Sequence, residues 1–162
     1  MAITLSIREK IMVKVKENLE QISRNDDYSY DVRQVIRTNS ELPDHPPLPS
    51  IFVYEGEEDK QPLRKTPNQV QCTLPVAVVY VAEDYNETAT TANAMLTDVV
   101  RAMGSSVRVG DADAPTRYQD VEVYEISNEI VIDDVNNPIV YVVVNFELYY
   151  YHSHGDLTKI QV

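Results

Sequence analysis

Near the end of the chain, His152-x-His154-x-Asp156 sets two imidazoles and a carboxylate at alternate positions. On a strand that spacing turns all three to one side, where they could ligate a divalent metal. Gly155 interrupts the triplet, so the residues read instead as a polar tail after a strand. Pro43-Asp44 followed by Glu58-Asp59-Lys60 has the order of the metal-dependent nuclease pattern. There, a Glu-x-Lys on a strand brings a carboxylate and an amine onto one metal and its water. Here the second half falls in a stretch rich in Gly, Pro and charge, which reads as a loop. Asp111-x-Asp113 and Asp133-Asp134 have neither the ligand count nor the spacing of a calcium loop, and turn-forming acids account for them. Cys72 is the only cysteine, so no disulfide forms within the chain and a Cys-based zinc site lacks its partners. The sequence has no Gly-x-Ser-x-Gly, and its four glycines build no phosphate-cradling loop. It reads as a protein without catalytic residues, cofactor or metal.

What stands out instead is contact chemistry. Eleven tyrosines occur against two phenylalanines and no tryptophan. Tyr54, Tyr80, Tyr124, Tyr141, Tyr149, Tyr150 and Tyr151 fall on expected strands. A phenol has an apolar body and a polar tip, which suits a protein–protein surface. The Tyr149–Tyr150–Tyr151 run must place rings on both faces of its strand, so Tyr149 and Tyr151 are candidate contacts. Residues 56–68, GEEDKQPLRKTPN, carry Glu57, Glu58 and Asp59, then Lys60, Arg64 and Lys65. The stretch is too long for a mere connection and reads as an exposed loop or hairpin arm with split charge, a second candidate contact.

The elements that position these residues follow from periodicity. Residues 4–23 repeat apolar side chains (Ile7, Ile11, Val15, Leu19, Ile22) at helical spacing, with Ser6 and Glu9 as a capping box. Residues 30–37 and 50–55 alternate as strands, separated by a proline-rich connector over 38–49. Residues 69–83 form a long strand in which Pro75 implies an edge or a bulge. Residues 86–103 form a second helix, with Ala89, Ala92, Leu96, Val99 and Met103 as its stripe and Gly104 just past its end. A second exposed loop covers 105–119. Residues 120–132 form a strand whose alternation slips, which a bulge near 125–127 repairs, and 133–137 turn it into the last strand, 138–152. On that strand Val140, Val142, Val144, Phe146, Leu148 and Tyr150 make an unbroken apolar row that belongs under helices. The order α-β-β-β-α-β-β implies one α+β domain over 1–162: a mostly antiparallel, long-stranded sheet with two helices on one face and a short polar tail over 153–162. The two longest strands should project beyond the helices.

The totals narrow the partners. With 26 acids against 14 bases, the net charge is −12, so no cationic surplus exists to grip phosphate backbones. No apolar run is long enough to span a membrane, and the charged N-terminus is no signal peptide. The sequence reads as a soluble, acidic, intracellular protein.

Taken together, the opening SIREKIMVKVKENLEQI, the PPLPSIFVYEGEED passage and the strand–helix QCTLPVAVVYVAE…ETATTANAMLTDVVRAM resemble the tail terminator (tail-completion) proteins of tailed bacteriophages. The closing hairpin EISNEIVIDDVNNPIVYVVVNFELYYYH adds to the likeness, which covers roughly residues 3–152. The resemblance implies a homohexameric ring seated on the last tail-tube ring. Such a ring ends tube polymerisation, meets the head-side connector of the neck and, in a contractile tail, the sheath. DNA passes through it without specific binding. The implied location is the tail–neck junction of the virion, and the host cytoplasm during assembly. Two other readings remain: a cytosolic homo-oligomeric binding module without catalysis, and a metal-dependent nuclease.

Overall fold

The computed structural model describes residues 3–41, 46–63, 65, 68–84, 87–111, 114, 116–133 and 138–160. Helix α1 spans Ile7–Glu20 and buries Ile7, Ile11, Met12, Val15 and Leu19. Ser6 caps it, its Oγ accepting from the Glu9 amide at 3.1 Å, which satisfies one of the otherwise orphaned first-turn donors. The return half of a capping box is not made, because the Glu9 carboxylate is held by Arg37. The helix stops three residues before the expected end. A 3-10 turn, Arg24–Asp26, and Asp27 in the left-handed region (φ 65°) redirect the chain.

Seven strands follow: β1 (Gln34–Arg37), β2 (Ser50–Glu55), β3 (Asp59–Pro62), β4 (Gln69–Glu83), then α2 (Thr88–Met103), β5 (Ser106–Gly110), β6 (Tyr118–Asp133) and β7 (Ile139–Ser153). They form one sheet in the order β1-β2-β4-β7-β6-β5, with β3 also paired to β4. Only β1–β2 is parallel among these pairs. The fold is therefore α+β, with a mostly antiparallel sheet. Two short strands each make one arm of a hairpin with the long strand that follows: β3, within the stretch expected as a loop or hairpin arm, and β5, within a stretch expected as a loop. The first expected strand is shorter than its alternation implied, beginning at Gln34 rather than Tyr30.

The centre of the sheet is a continuous register of β4 on β7 from Gln69↔Ser153 to Glu83↔Ile139. Because opposed residues face the same way, Cys72, Leu74, Val76, Val78 and Tyr80 join Tyr150, Leu148, Phe146, Val144 and Val142 in one buried layer beneath both helices. Helix α2 contributes Ala92, Met95, Val99 and Met103 to that layer, together with buried Thr91 and Asp98. The expected stripe was rotated: Ala89 is exposed and Leu96 only half-buried, while Met95 takes the central place. Asp98 is tolerated inside because both its oxygens accept from the Ser29 amide, at 3.1 and 3.0 Å. Gly104, at φ 65°, ends the helix in a conformation that a side chain would strain.

Pro75 lies neither on a sheet edge nor at a bulge. It sits in an interior strand at the point where the neighbour changes from β2 to β3. The Gly56 amide donates to the Pro75 carbonyl at 2.8 Å; in an antiparallel strand the absent Pro75 N–H would point the same way, into that break. A Cβ on Gly56 would meet the Pro75 ring at 3.1 Å, tighter than ordinary packing, so glycine makes the close approach without displacing the ring. The C-terminal segment is not a frayed tail. Ile7 N–H donates to Leu157 O, Ser153 N–H to Lys159 O, and Ile160 is buried with its amide on Asp111 Oδ2. No helix among the described residues is long and apolar enough to cross a membrane.

Candidate assembly surfaces

The first turn of α1 reads outward into a chain of charges. Arg37 forks onto Glu9 (2.7 and 3.0 Å) and reaches Glu55 at 2.8 Å. Glu55 also receives Arg8 Nε at 3.2 Å, and Arg8 Nη1 continues to Glu58 at 3.1 Å. The Glu58 carboxylate, 6% exposed, further accepts the Tyr150 hydroxyl at 2.7 Å and faces Lys60 Nζ at 3.5 Å. Three acids thus meet three bases, tying α1, β1, β2, β3 and β7 together. Burial pushes the Glu58 carboxyl up, but hydrogen bonds from Tyr150 and Cys72 and the charges of Lys60 and Arg8 outweigh it and bring it below its usual range. Burial first, and the Glu58 charge next, push the Cys72 thiol up to about 12, so it remains an unreactive thiol.

This network changes the reading of the 56–68 arm. Glu57, Asp59 and Lys65 are exposed as expected, but Glu58 turns inward and Lys60 is paired to it. Arg64 lies outside the described residues. Lys60 lies on β3 and Glu58 just before it, and the two converge, so of the loop or hairpin arm expected it is the hairpin arm that forms. Even so, both carboxylate oxygens are occupied by a phenol and two cations, which leaves none open for a metal. Pro43 and Asp44, the other half of that pattern, lie outside the described residues. His152 is buried beside the same network. Its Nδ1–H donates to the Ser153 carbonyl at 2.7 Å, so Nε2 is the lone pair facing Lys60 at 3.3 Å. His154 is exposed, and Asp156 is engaged by Thr158 and Lys159. The three do not converge, and among the described residues no group of three His, Cys, Asp or Glu is placed to hold a metal. Asp113 and Asp134 lie outside the described residues, as do Asn86 and residues 135–137 of the expected turn.

On the opposite face of the sheet no helix lies among the described residues. Tyr149 and Tyr151 stand there half-buried, beside Glu122, Tyr124 and Gln71, around a groove of about 560 Å³. The Tyr124 and Tyr149 rings meet edge to face at 5.5 Å. Tyr124 donates to Glu122 at 3.2 Å, and Tyr149 donates to Glu147. The Glu122 charge raises the Tyr124 phenol above its usual range, and the hydrogen bond to Glu147 does the same for Tyr149. Asp120, also in the groove wall, is bonded by Arg108 at 2.8 Å, and the Arg108 guanidinium lies over the Tyr118 ring. Among the described residues Glu122, Glu125, Glu129 and Glu147 have no ion-pair partner. Tyr150 faces the core, as the alternation of the tyrosine run requires.

The third surface is an edge. Strand β5 pairs with β6 only from Tyr118 to Glu122, and beyond Val123 the outer side of β6 has no described partner. The bulge between Glu125 and Ser127 falls where the slipped alternation placed it. It turns Ile130 and Ile132 onto the helical side, opposite Val142 and Val140, yet unlike those two β7 residues they are not buried. Ile126, Ile130, Val131 and Ile132 are 55%, 36%, 43% and 38% exposed. The strand carries Asp120, Glu122, Glu125, Glu129 and Asp133 and no base. The exposed ribbon was foreseen from strand length, but Tyr124, Glu122 and the isoleucine edge were not singled out as contacts. The parity slip at 125–127 was their one signal in the sequence. No protein-family model and no curated protein matches the chain.

Proposed function

We propose that this chain is a structural assembly subunit, a tail-terminator-like protein of a bacteriophage. As a ring at the tail–neck junction it ends growth of the tail tube and meets the head-side connector. The observation that carries this reading is the open half of β6. Its outer backbone groups have no partner among the described residues, four aliphatic side chains are exposed on it, and it carries neither lysine nor proline, so a bulge and its acids are the devices left to protect the edge. Its acids disfavour those β6–β6 registers, such as Glu129 opposite Glu129, that set acid against acid. A different surface of the next copy is the alternative partner, and head-to-tail contacts of that kind make a ring when the rotation between copies closes.

The test has two readings. Light scattering on the purified chain should give about 111 kDa, six copies of the 18.5 kDa chain, and the added protein should halt growth of tail tubes. A dimer of about 37 kDa that leaves tube length unchanged would instead indicate a homo-oligomeric binding module.

A further inference from the structure

We infer that copies of the chain join by continuing the sheet: the open half of β6 pairs, antiparallel, with β1 of a second copy, Ile130 opposite Val35. This rests on the ring reading above. The two edges lie at one level, because a single row of paired residues runs between them: Val35↔Ile51, Ile51↔Tyr80, Tyr80↔Val142 and Val142↔Ile130. Toward the Gln69 end of β4, β3 and β5 flank the sheet instead. Rotation alone relates the copies of a closed ring. With the ring axis along the strands, the two edges must therefore meet without a shift, as this row allows.

The backbone groups point the right way. Thr38 N–H donates to the Val53 carbonyl at 3.0 Å, so alternation sends the groups of Gln34 and Ile36 to β2 and those of Val35 and Arg37 outward. On β6, Val123 N–H donates outward to the Ser105 carbonyl at 3.0 Å. Ile130 and Ile132 share its helical side, and with it the outward direction. Among the described residues the outward groups of Val35, Arg37, Ile130 and Ile132 have no hydrogen-bond partner. Strand direction agrees: β1 is parallel to β2, and β2, β4, β7 and β6 alternate, so β1 and β6 run oppositely. The side chains fit too. Val35 and Ile130 share the helical side and make an aliphatic pair. Residues 128–133 carry Glu129 and Asp133 and no base, whereas 33–37 carry Arg33 and Arg37 and no acid. Arg33 is exposed and has no ion-pair partner among the described residues. A groove of about 300 Å³, lined by Glu20 and Val32–Val35, lies beside β1. The contact is heterologous, each copy offering one β1 edge and one β6 edge.

Paired cysteines test it. In this register Gln34 of the second copy faces Val131 on the helix-free side, with Cα atoms about 4.5 Å apart, within disulfide reach. Within one chain the same residues lie four strand spacings apart, about 19 Å along the sheet, and cannot join. Gln34→Cys with Val131→Cys, oxidised, should therefore give a ladder of covalent oligomers up to the hexamer on non-reducing gels. Each single variant should stop at a dimer, and Gln34→Cys with Glu129→Cys, shifted by two residues, should cross-link at least about tenfold more slowly. The native Cys72 is buried and does not compete. Ile130→Pro removes an outward N–H at an edge, where proline is tolerated, so the chain should still melt cooperatively while the concentration for half-assembly rises about tenfold. Should that variant fail to fold, the cysteine ladder decides alone. A wild-type ring with no ladder beyond the single variants overturns this contact and leaves the ring standing. A Val131→Cys dimer that forms faster than the ladder overturns it in favour of β6–β6 pairing. A wild type that stays at 18.5 kDa at every concentration removes the ring, and this contact with it.

Discussion

Replacing Glu58 by alanine should destabilise the chain by about 3 kcal/mol, and the figure comes from three separate partners. The Tyr150 ring is 2% exposed, and its hydroxyl would lose its acceptor in a place water reaches poorly, a cost of about 1–3 kcal/mol. Arg8 and Lys60 are 37% and 43% exposed in their side chains. They can turn to solvent, so each contributes at most about 1 kcal/mol. Melting temperature should fall by about 6–12 °C for a chain of this size. In Glu58→Ala with Tyr150→Phe, both partners of the buried hydrogen bond are gone. The double variant should therefore recover more than about 1 kcal/mol relative to the sum of the singles. The pH dependence has a definite sign. The folded carboxyl lies below its unfolded value, so its stabilisation is complete above about pH 4.3 and is lost as pH falls through the lower, folded value. Urea melts of wild type and Glu58→Ala should therefore converge in acid. A loss under about 0.5 kcal/mol at pH 7, or strict additivity in the double variant, would mean that Glu58 does not hold the arm.

Two further outcomes test the helix register and the edge. Met95→Ala, at a fully buried position on α2, should cost about 2–5 kcal/mol, whereas Leu96→Ala should cost about half as much or less because Leu96 is half-exposed. Equal losses in denaturant melts would mean that α2 is rotated from the position described. Ile130→Lys with Ile132→Lys should leave monomer stability within about 1 kcal/mol but should abolish association, since lysine is the residue that protects an open edge. A double variant that still assembles in light scattering would exclude the distal half of β6 as an interface.

The sequence determined the periodic elements. Residues whose apolar side chains recur at 3.6 or 2 positions can bury them only as helix or strand, so α1, β4, β7 and the helical side of β7 could be read directly. Even the β6 bulge was legible, because Val121 and Val123 cannot share a face with Ile130 and Ile132 without an extra residue between them. What periodicity cannot encode is which neighbour lies across a gap. Glu58 looks like one acid among three in a charged loop, and only the folding of β3 against β4 carries it to Tyr150, Arg8 and Lys60. Pro75 looks like an edge residue, yet pairing places its missing donor in the break between β2 and β3. Met95 and Leu96 are adjacent and both apolar; a small rotation of α2 that keeps Ala92, Val99 and Met103 buried decides which of the two is core. The open edge of β6 is a tertiary fact for the same reason: its isoleucines are as apolar as the core's. They are partly exposed because β5 begins only at Ser106, opposite Glu122, and α2 packs mainly over β7.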